Sequence, residues 1–393
     1  MALQGSTGPL DDLPEIAAFA RRALGGGLLN AEEIGNGNIN RVFRARGASG
    51  AVIIKMAVPF VRRAGLGWPL SVVRLSSEVA AYRIHGAAAP GVLPTIIDHD
   101  ARSNAVALED LVGFEDWRGL LLQETALPGV GAEIGRYVAA VYLDTSPLTV
   151  GAVAAAEMRA SAGSPVMHAF TDRMMFVAPF HGDPTNRCSE PFGDALADLL
   201  GDPAVRSAER RARATFLTRG DCLMHGDLHT GSVMASATAA APPRVIDLEF
   251  AAYGPVAFDL GVFLAHLAIA RARFAVLGRP TMVEHLDVQA QEFWRAFMAG
   301  VSTAVETDAR GDDDRGGEWA MDAALFAGIE ILRRTTGYFG VSDLETLAQA
   351  ERRDAEHILL DVCRTLLTGS ARSFDALWAS VIEVQEGIAC GRS

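Results

Sequence analysis

His225-Gly226-Asp227-Leu228-His229-Thr230-Gly231-Ser232, with Asp247-Leu248-Glu249-Phe250 downstream, is the stretch whose reading decides the fold of this chain. Phosphoryl transfer needs a carboxylate that orients and deprotonates an acceptor hydroxyl, and acidic ligands for the magnesium that bridges the phosphates. Asp227 meets the first need. Asp247 and Glu249 meet the second, because magnesium prefers hard oxygen ligands, and alternate residues at a strand end face one side. An isolated H-G-D tripeptide reads as a turn with a capping Asp, but the second acidic pair decides against that. A di-histidine metal site from His225 and His229 requires a helix, which Gly226 and Gly231 disfavour.

Upstream, Gly35-Asn36-Gly37-Asn38-Ile39-Asn40 precedes Lys55, which ends the apolar run Ala51-Val52-Ile53-Ile54, and Glu78 falls on a helix expected over 75–85. In kinase-like folds a glycine-rich turn covers the phosphates, a strand lysine contacts the α and β phosphates, and a helix glutamate pairs with that lysine. The order here is the same. Taken singly, the glycines also read as a hairpin turn, Lys55 as a surface charge and Glu78 as a solvated helix residue. Lysine is rare in this chain, which gives Lys55 weight. No G-x-x-x-x-G-K-[ST] occurs, so a P-loop is excluded.

Glu109-Asp110-Leu111 ends a strand expected over 104–111, where a kinase hinge offers backbone groups to adenine. Beyond it, Ala/Leu-rich segments at helical spacing take over, which sets a lobe boundary near 111–115. Two β-prone runs, one leading to Met224-His225 and one at Arg244-Val245-Ile246, read as a hairpin facing the cleft. Asp259 opens an apolar helix and reads as its cap. Arg333-Arg334, on a helix over 323–337, read equally as forked donors to phosphate or sugar hydroxyls and as a salt-bridged pair. Trp68, in Gly67-Trp68-Pro69-Leu70, packs either on a ligand or on the core. Residues 12–24 read as a short amphipathic helix, and 307–317, rich in Asp and Gly, as a solvated loop.

With 393 residues, 50% of them hydrophobic, the chain can bury the cores of two lobes. A net charge of -13 without a basic block argues against a nucleic-acid surface. The 4 cysteines form no C-x-x-C pair, so neither zinc nor a disulfide framework is indicated. The most apolar stretch, 256–270, is broken by Asp259 and His266, so no membrane span is expected, and the chain reads as cytoplasmic. The fold expected is α+β and protein-kinase-like. Residues 1–112 form a small nucleotide-binding lobe with an antiparallel sheet, and 113–393 a larger, mainly helical lobe.

Together these motifs resemble the methylthioribose kinases, a branch of the aminoglycoside-phosphotransferase and choline-kinase superfamily. The resemblance runs from Ile34-Gly35-Asn36-Gly37-Asn38-Ile39-Asn40 through Pro59-Phe60-Val61-Arg62, Glu109-Asp110-Leu111, His225 to Ser232 and Ile246 to Ala251, as far as Leu332-Arg333-Arg334. It implies ATP and Mg2+ as cofactors, with Asp227 acting on the anomeric hydroxyl of the sugar and Asp247 and Glu249 holding magnesium. Lys55 would contact ATP, Arg333 and Arg334 the substrate side of the transferring phosphate, and the Trp68 loop would help close the site. His229 would stand beside the sugar. The product implied is 5-methylthioribose 1-phosphate, an intermediate of methionine salvage, and the family is commonly homodimeric. Leu248 stands where a proline is expected, Ala252 where an aromatic is expected, and Gly337-Tyr338-Phe339-Gly340 departs from the family pattern beside the sugar's far end. Another sugar, an aminoglycoside or a small alcohol is the alternative acceptor, and a non-catalytic nucleotide-binding relative the alternative role.

Overall fold

The computed structural model describes residues 13–34, 39–48, 50–183, 186, 193–238, 241–302 and 312–390. Five antiparallel strands, β1 (Leu28–Glu33), β2 (Asn40–Gly47), β3 (Gly50–Ala57), β4 (Ile96–Asp100) and β5 (Ala105–Glu109), form one sheet in the order β1-β2-β3-β5-β4. Alternation along β3 sorts its side chains. Val52 and Ile54 enter a core with Ile16, Phe19 and Ala20 of the helix Pro14–Ala23, while Ile53 and Lys55 line a cavity on the other side. The helix Arg74–Ala88 contributes Leu75, Val79 and Tyr82 to the main core.

The rest of the chain is largely helical, built on Val130–Thr145, Val256–Val276, Pro280–Ser302, Asp312–Thr336 and Gln349–Thr368. Val256–Val276 is apolar and buried on nearly all sides, as a core helix is. Gly261 permits the close approach of Asp312–Thr336, since a Cβ there would lie 2.6 Å from the Ala323 carbonyl oxygen. Among the described residues no helix is long and apolar enough to cross a membrane.

Three sequence expectations need correction here. The strand Cys222–Met224 pairs with Ala252–Gly254, whereas Arg244–Val245 pairs with Val233–Ala235, so the two β-prone runs do not form a hairpin with each other. Runs this short carry little register information, and tertiary packing selects their partners. The expected loop at 307–317 is helical from Asp312 onward, because a helix with a long apolar face extends cooperatively into its flank, and 307–311 lie outside the described residues. Asp259 sits inside its helix, whose N-cap is Pro255, and its carboxylate serves a different segment.

Candidate active site

The segment 225–232 is held from three sides. Asp259 Oδ2 accepts from the His225 backbone N–H at 2.7 Å, and its Oδ1 from that of Gly226 at 2.9 Å. Gly226 has φ +86°, and a Cβ there would lie 2.2 Å from the Phe250 carbonyl oxygen, so the turn and its contact with 248–250 both require glycine. Ser232 Oγ accepts from His229 N at 2.9 Å. His225 is fully buried, and its Nε2 donates to the Ile246 carbonyl at 2.9 Å, tying the two acidic motifs together. The two histidines do not converge on a helix face.

The Asp227 carboxylate faces Arg334 Nη2 at 3.1 Å, Arg333 Nη2 at 3.4 Å and His229 Nε2 at 3.5 Å. Burial pushes this carboxyl up, but His229 and the two guanidiniums outweigh it and hold it well below the usual carboxylate range. The salt-bridged reading of the arginine pair holds, because each guanidinium also binds Glu330, at 2.6 Å in each case.

Lys55 is the only lysine of the chain. Its Nζ lies 2.7 Å from Glu78 Oε1, 2.6 Å from Asp247 Oδ1 and 3.9 Å from Glu249 Oε2. Burial lowers its pKa, yet the surrounding carboxylates raise it well above the ordinary lysine value. Glu249 is pushed up to about 8, chiefly by burial, against the lowering pull of Lys55, and the neighbouring carboxylates of Asp247 and Glu78 push it in the same direction as burial. Asn40 donates through Nδ2 to Glu249 Oε2, while its Oδ1 accepts from Arg74 Nη2 at 2.6 Å. Asp247 does not lie on a strand with Glu249. It adopts a left-handed conformation (φ +69°), and Glu249 follows in the short turn Leu248–Phe250, which aims both carboxylates at Lys55 without strand alternation.

Two carboxylates crowded beside a single ammonium, one of them driven toward protonation, are a donor set suited to a hard divalent cation. Among the described residues no cluster of three or more His, Cys, Asp or Glu could hold a metal.

One cavity of about 600 Å³ gathers Asn40, Lys55, Glu109, Leu111, Asp227, His229, Asp247, Glu249, Arg333 and Arg334 on its walls. Glu78 stands behind Lys55. Gly35, Asn36, Gly37 and Asn38 lie outside the described residues. Trp68 is not on the wall. Its ring packs on Phe170 at 5.6 Å and Tyr338 at 6.0 Å, with the Arg173 guanidinium over it at 4.9 Å, so it backs an aromatic cluster of which Phe170 and Phe339 reach the cavity. Glu109 Oε2 pairs with Arg244 at 2.9 Å, and Asp110 with Arg44 at 2.9 Å. The sequence reading missed Arg118, Phe170, Met174 and Arg44, which line the cavity, and the buried Glu330 and His266. An acidic residue one helical turn before Arg333-Arg334 was the available signal for Glu330. Phe170 and Met174 stand on either side of Thr171-Asp172-Arg173 in a mixed segment that carried none.

Residues 30–284 match the phosphotransferase enzyme family. The chain is 33% identical over 333 residues to a methylthioribose kinase of Exiguobacterium sibiricum, covering 83% of this chain and 84% of that one. It is 29% identical over 371 residues to a methylthioribose kinase of Yersinia enterocolitica, covering 90% and 92%. Among solved structures, a choline/ethanolamine kinase family protein from Mesorhizobium loti aligns with a TM-score of 0.49 and 16% identity, over 94% of this chain and 98% of that one. The chain belongs to the phosphotransferase enzyme family, in its methylthioribose kinase branch.

Proposed function

We propose that this phosphotransferase moves the γ-phosphate of ATP to the anomeric hydroxyl of 5-methylthioribose. The observation that carries the choice of acceptor is the character of the cavity wall: three arginines (Arg118, Arg333 and Arg334) share it with Asp227 and with Phe170, Met174 and Phe339. A polycationic aminoglycoside would meet like charge there. A neutral sugar with a small apolar substituent meets hydrogen-bond donors at one end and aromatic surface at the other.

In this reading residues 1–112 hold the nucleotide and 113–393 the acceptor. Asp227, ionised and fixed by two guanidiniums, orients the sugar hydroxyl and takes its proton as the oxygen–phosphorus bond forms. Arg333 and Arg334 stay within reach of the equatorial oxygens of the transferring phosphoryl group. Lys55, oriented by Glu78, binds the phosphates that become the leaving diphosphate, and Asn40 steadies Glu249. The hinge at Glu109 and Leu111 receives adenine, with the segment 35–38 over the phosphates. Asp247 and Glu249 would hold magnesium, whose contribution is to neutralise phosphate charge. His229 sits against the sugar, and the Trp68 cluster backs its substituent. The same reading implies a cytoplasmic enzyme and a homodimer, the latter checked by analytical ultracentrifugation.

The test is a panel of methylthioribose, ribose, 5-deoxyribose and aminoglycosides with ATP and Mg2+, the product identified by phosphorus NMR. A sugar 1-phosphate formed from methylthioribose is expected. Transfer only to another hydroxyl, or to an aminoglycoside, rejects the assignment.

A further inference from the structure

Behind the cavity wall a chain of buried polar groups joins segments that are far apart in sequence. Glu330, fully buried on Asp312–Thr336, receives Arg333 Nε at 2.6 Å and Nη2 at 2.7 Å, and Arg334 Nε at 2.6 Å. Each guanidinium gives its Nε to Glu330; Arg334 turns its Nη2 to Asp227, and Arg333 shares its Nη2 between Glu330 and Asp227. Two adjacent like charges against one wall repel, and a single carboxylate between them is what lets both stay desolvated and parallel.

Glu330 is itself held by His266 Nε2 at 3.0 Å, and His266 Nδ1 lies 2.9 Å from Arg118 Nη2. A carboxylate only accepts and a guanidinium only donates, so these neighbours fix a neutral imidazole with its proton on Nε2. Arg118 Nε continues to Thr230 Oγ1 at 3.2 Å, inside the 225–232 segment, and to Asp343 at 3.1 Å. His266 lies between apolar residues of a core helix, and Glu330 lies among apolar neighbours on its own helix. A core built for packing alone would place hydrocarbon at both positions, since buried ion pairs contribute little net stability.

The geometry points to Glu330 as the positioning residue of this active site, with His266 and Arg118 as its link to the loop that carries Asp227. It aims both guanidiniums at the catalytic carboxylate and the transferring phosphate. The inference rests on the phosphotransfer reading of the site and does not depend on which acceptor is used.

The experiment compares wild type, Glu330→Gln and His266→Leu with ATP, Mg2+ and methylthioribose, or with whichever acceptor of the panel the wild type phosphorylates. ATP binding is followed separately with an acyl-phosphate ATP probe that labels Lys55. Arginine modification by phenylglyoxal, read by mass spectrometry, reports on Arg333 and Arg334 without any acceptor. The expected result for Glu330→Gln is about a hundredfold loss in kcat/KM for the acceptor, the size associated with misplaced catalytic groups. Lys55 labelling stays within about twofold of wild type, while Arg333 and Arg334 react with phenylglyoxal about tenfold faster, their anchor having gone. His266→Leu, which keeps the core apolar, gives a smaller loss in the same parameter. Acceptor kcat/KM within threefold of wild type overturns the proposal, as does a parallel loss of Lys55 labelling, which marks a general structural role. If Glu330→Gln does not fold, His266→Leu decides by the same criteria. A wild type inactive on the whole panel refutes the functional reading instead, and unchanged phenylglyoxal rates in Glu330→Gln would then overturn the positioning role independently.

Discussion

Lys55 Nζ and Asp247 Oδ1 lie 2.6 Å apart although 192 positions separate them in the chain, so one ion pair joins β3 to the turn that follows Val245. Lys55 and Glu78 are nearly inaccessible, with side chains 5% and 0% exposed, while that of Asp247 is 54% exposed toward the cavity. The arrangement leaves Asp247 open to a ligand and commits Glu78 to structure. Removing the ammonium by Lys55→Met strands the Glu78 carboxylate in the core, and the fold should lose about 3 kcal/mol, measured by urea denaturation. Saturation with ATP should be lost in the same variant.

Asp227→Asn keeps the shape of the base and removes its proton affinity. Turnover should fall at least about a hundredfold while ATP binding stays intact. Near-normal turnover would take Asp227 out of its role.

Gly226→Ala places a methyl group into the Phe250 carbonyl at a positive φ. The strain alone should cost about 2 kcal/mol. Because Phe250 adjoins Glu249, a thermal melt and an activity assay should both register the change.

Phe170 shares its surroundings with Phe250, Phe339 and Trp68, at centroid distances of 6.0, 6.1 and 5.6 Å. If this cluster receives the apolar substituent of the sugar, Phe170→Ala should lower kcat/KM for methylthioribose about tenfold while leaving ribose nearly unchanged. An equal loss for both sugars would place the substituent elsewhere.

Acid should weaken the fold through Glu330. Burial alone would raise its pKa, but Arg333, Arg334 and His266 pull it far below the usual carboxylate range. A folded-state pKa below the unfolded one means that the contribution is complete above the unfolded value and fades as pH falls toward the folded one. The stability difference between wild type and Glu330→Gln should therefore be flat above about pH 6 and shrink below about pH 4.5 in urea titrations. His266, kept neutral chiefly by burial with its pKa well below 6.5, adds to the acid sensitivity of the wild type, since unfolding lets it take up a proton.

What the sequence determined by itself was chemistry and order. The lone lysine on an apolar strand, the glutamate on the next helix, the H-G-D motif and the D-x-E motif follow one another as a kinase-like site requires, and helical or strand periodicity is a local property that survives without coordinates. What only the tertiary structure decided was partnership. Two strands of three residues or fewer have no intrinsic preference for each other, so the pairing of Cys222–Met224 with Ala252–Gly254 had to come from packing. Asp259 looked like a cap because its nearest backbone in sequence is its own helix, whereas its partners at 225 and 226 arrive from the far side of a loop. The cavity wall of Arg118, Phe170 and Met174, and Glu330 behind it, were illegible for the same reason: burial and charge compensation are properties of neighbours in space, and local sequence does not record which neighbours will meet.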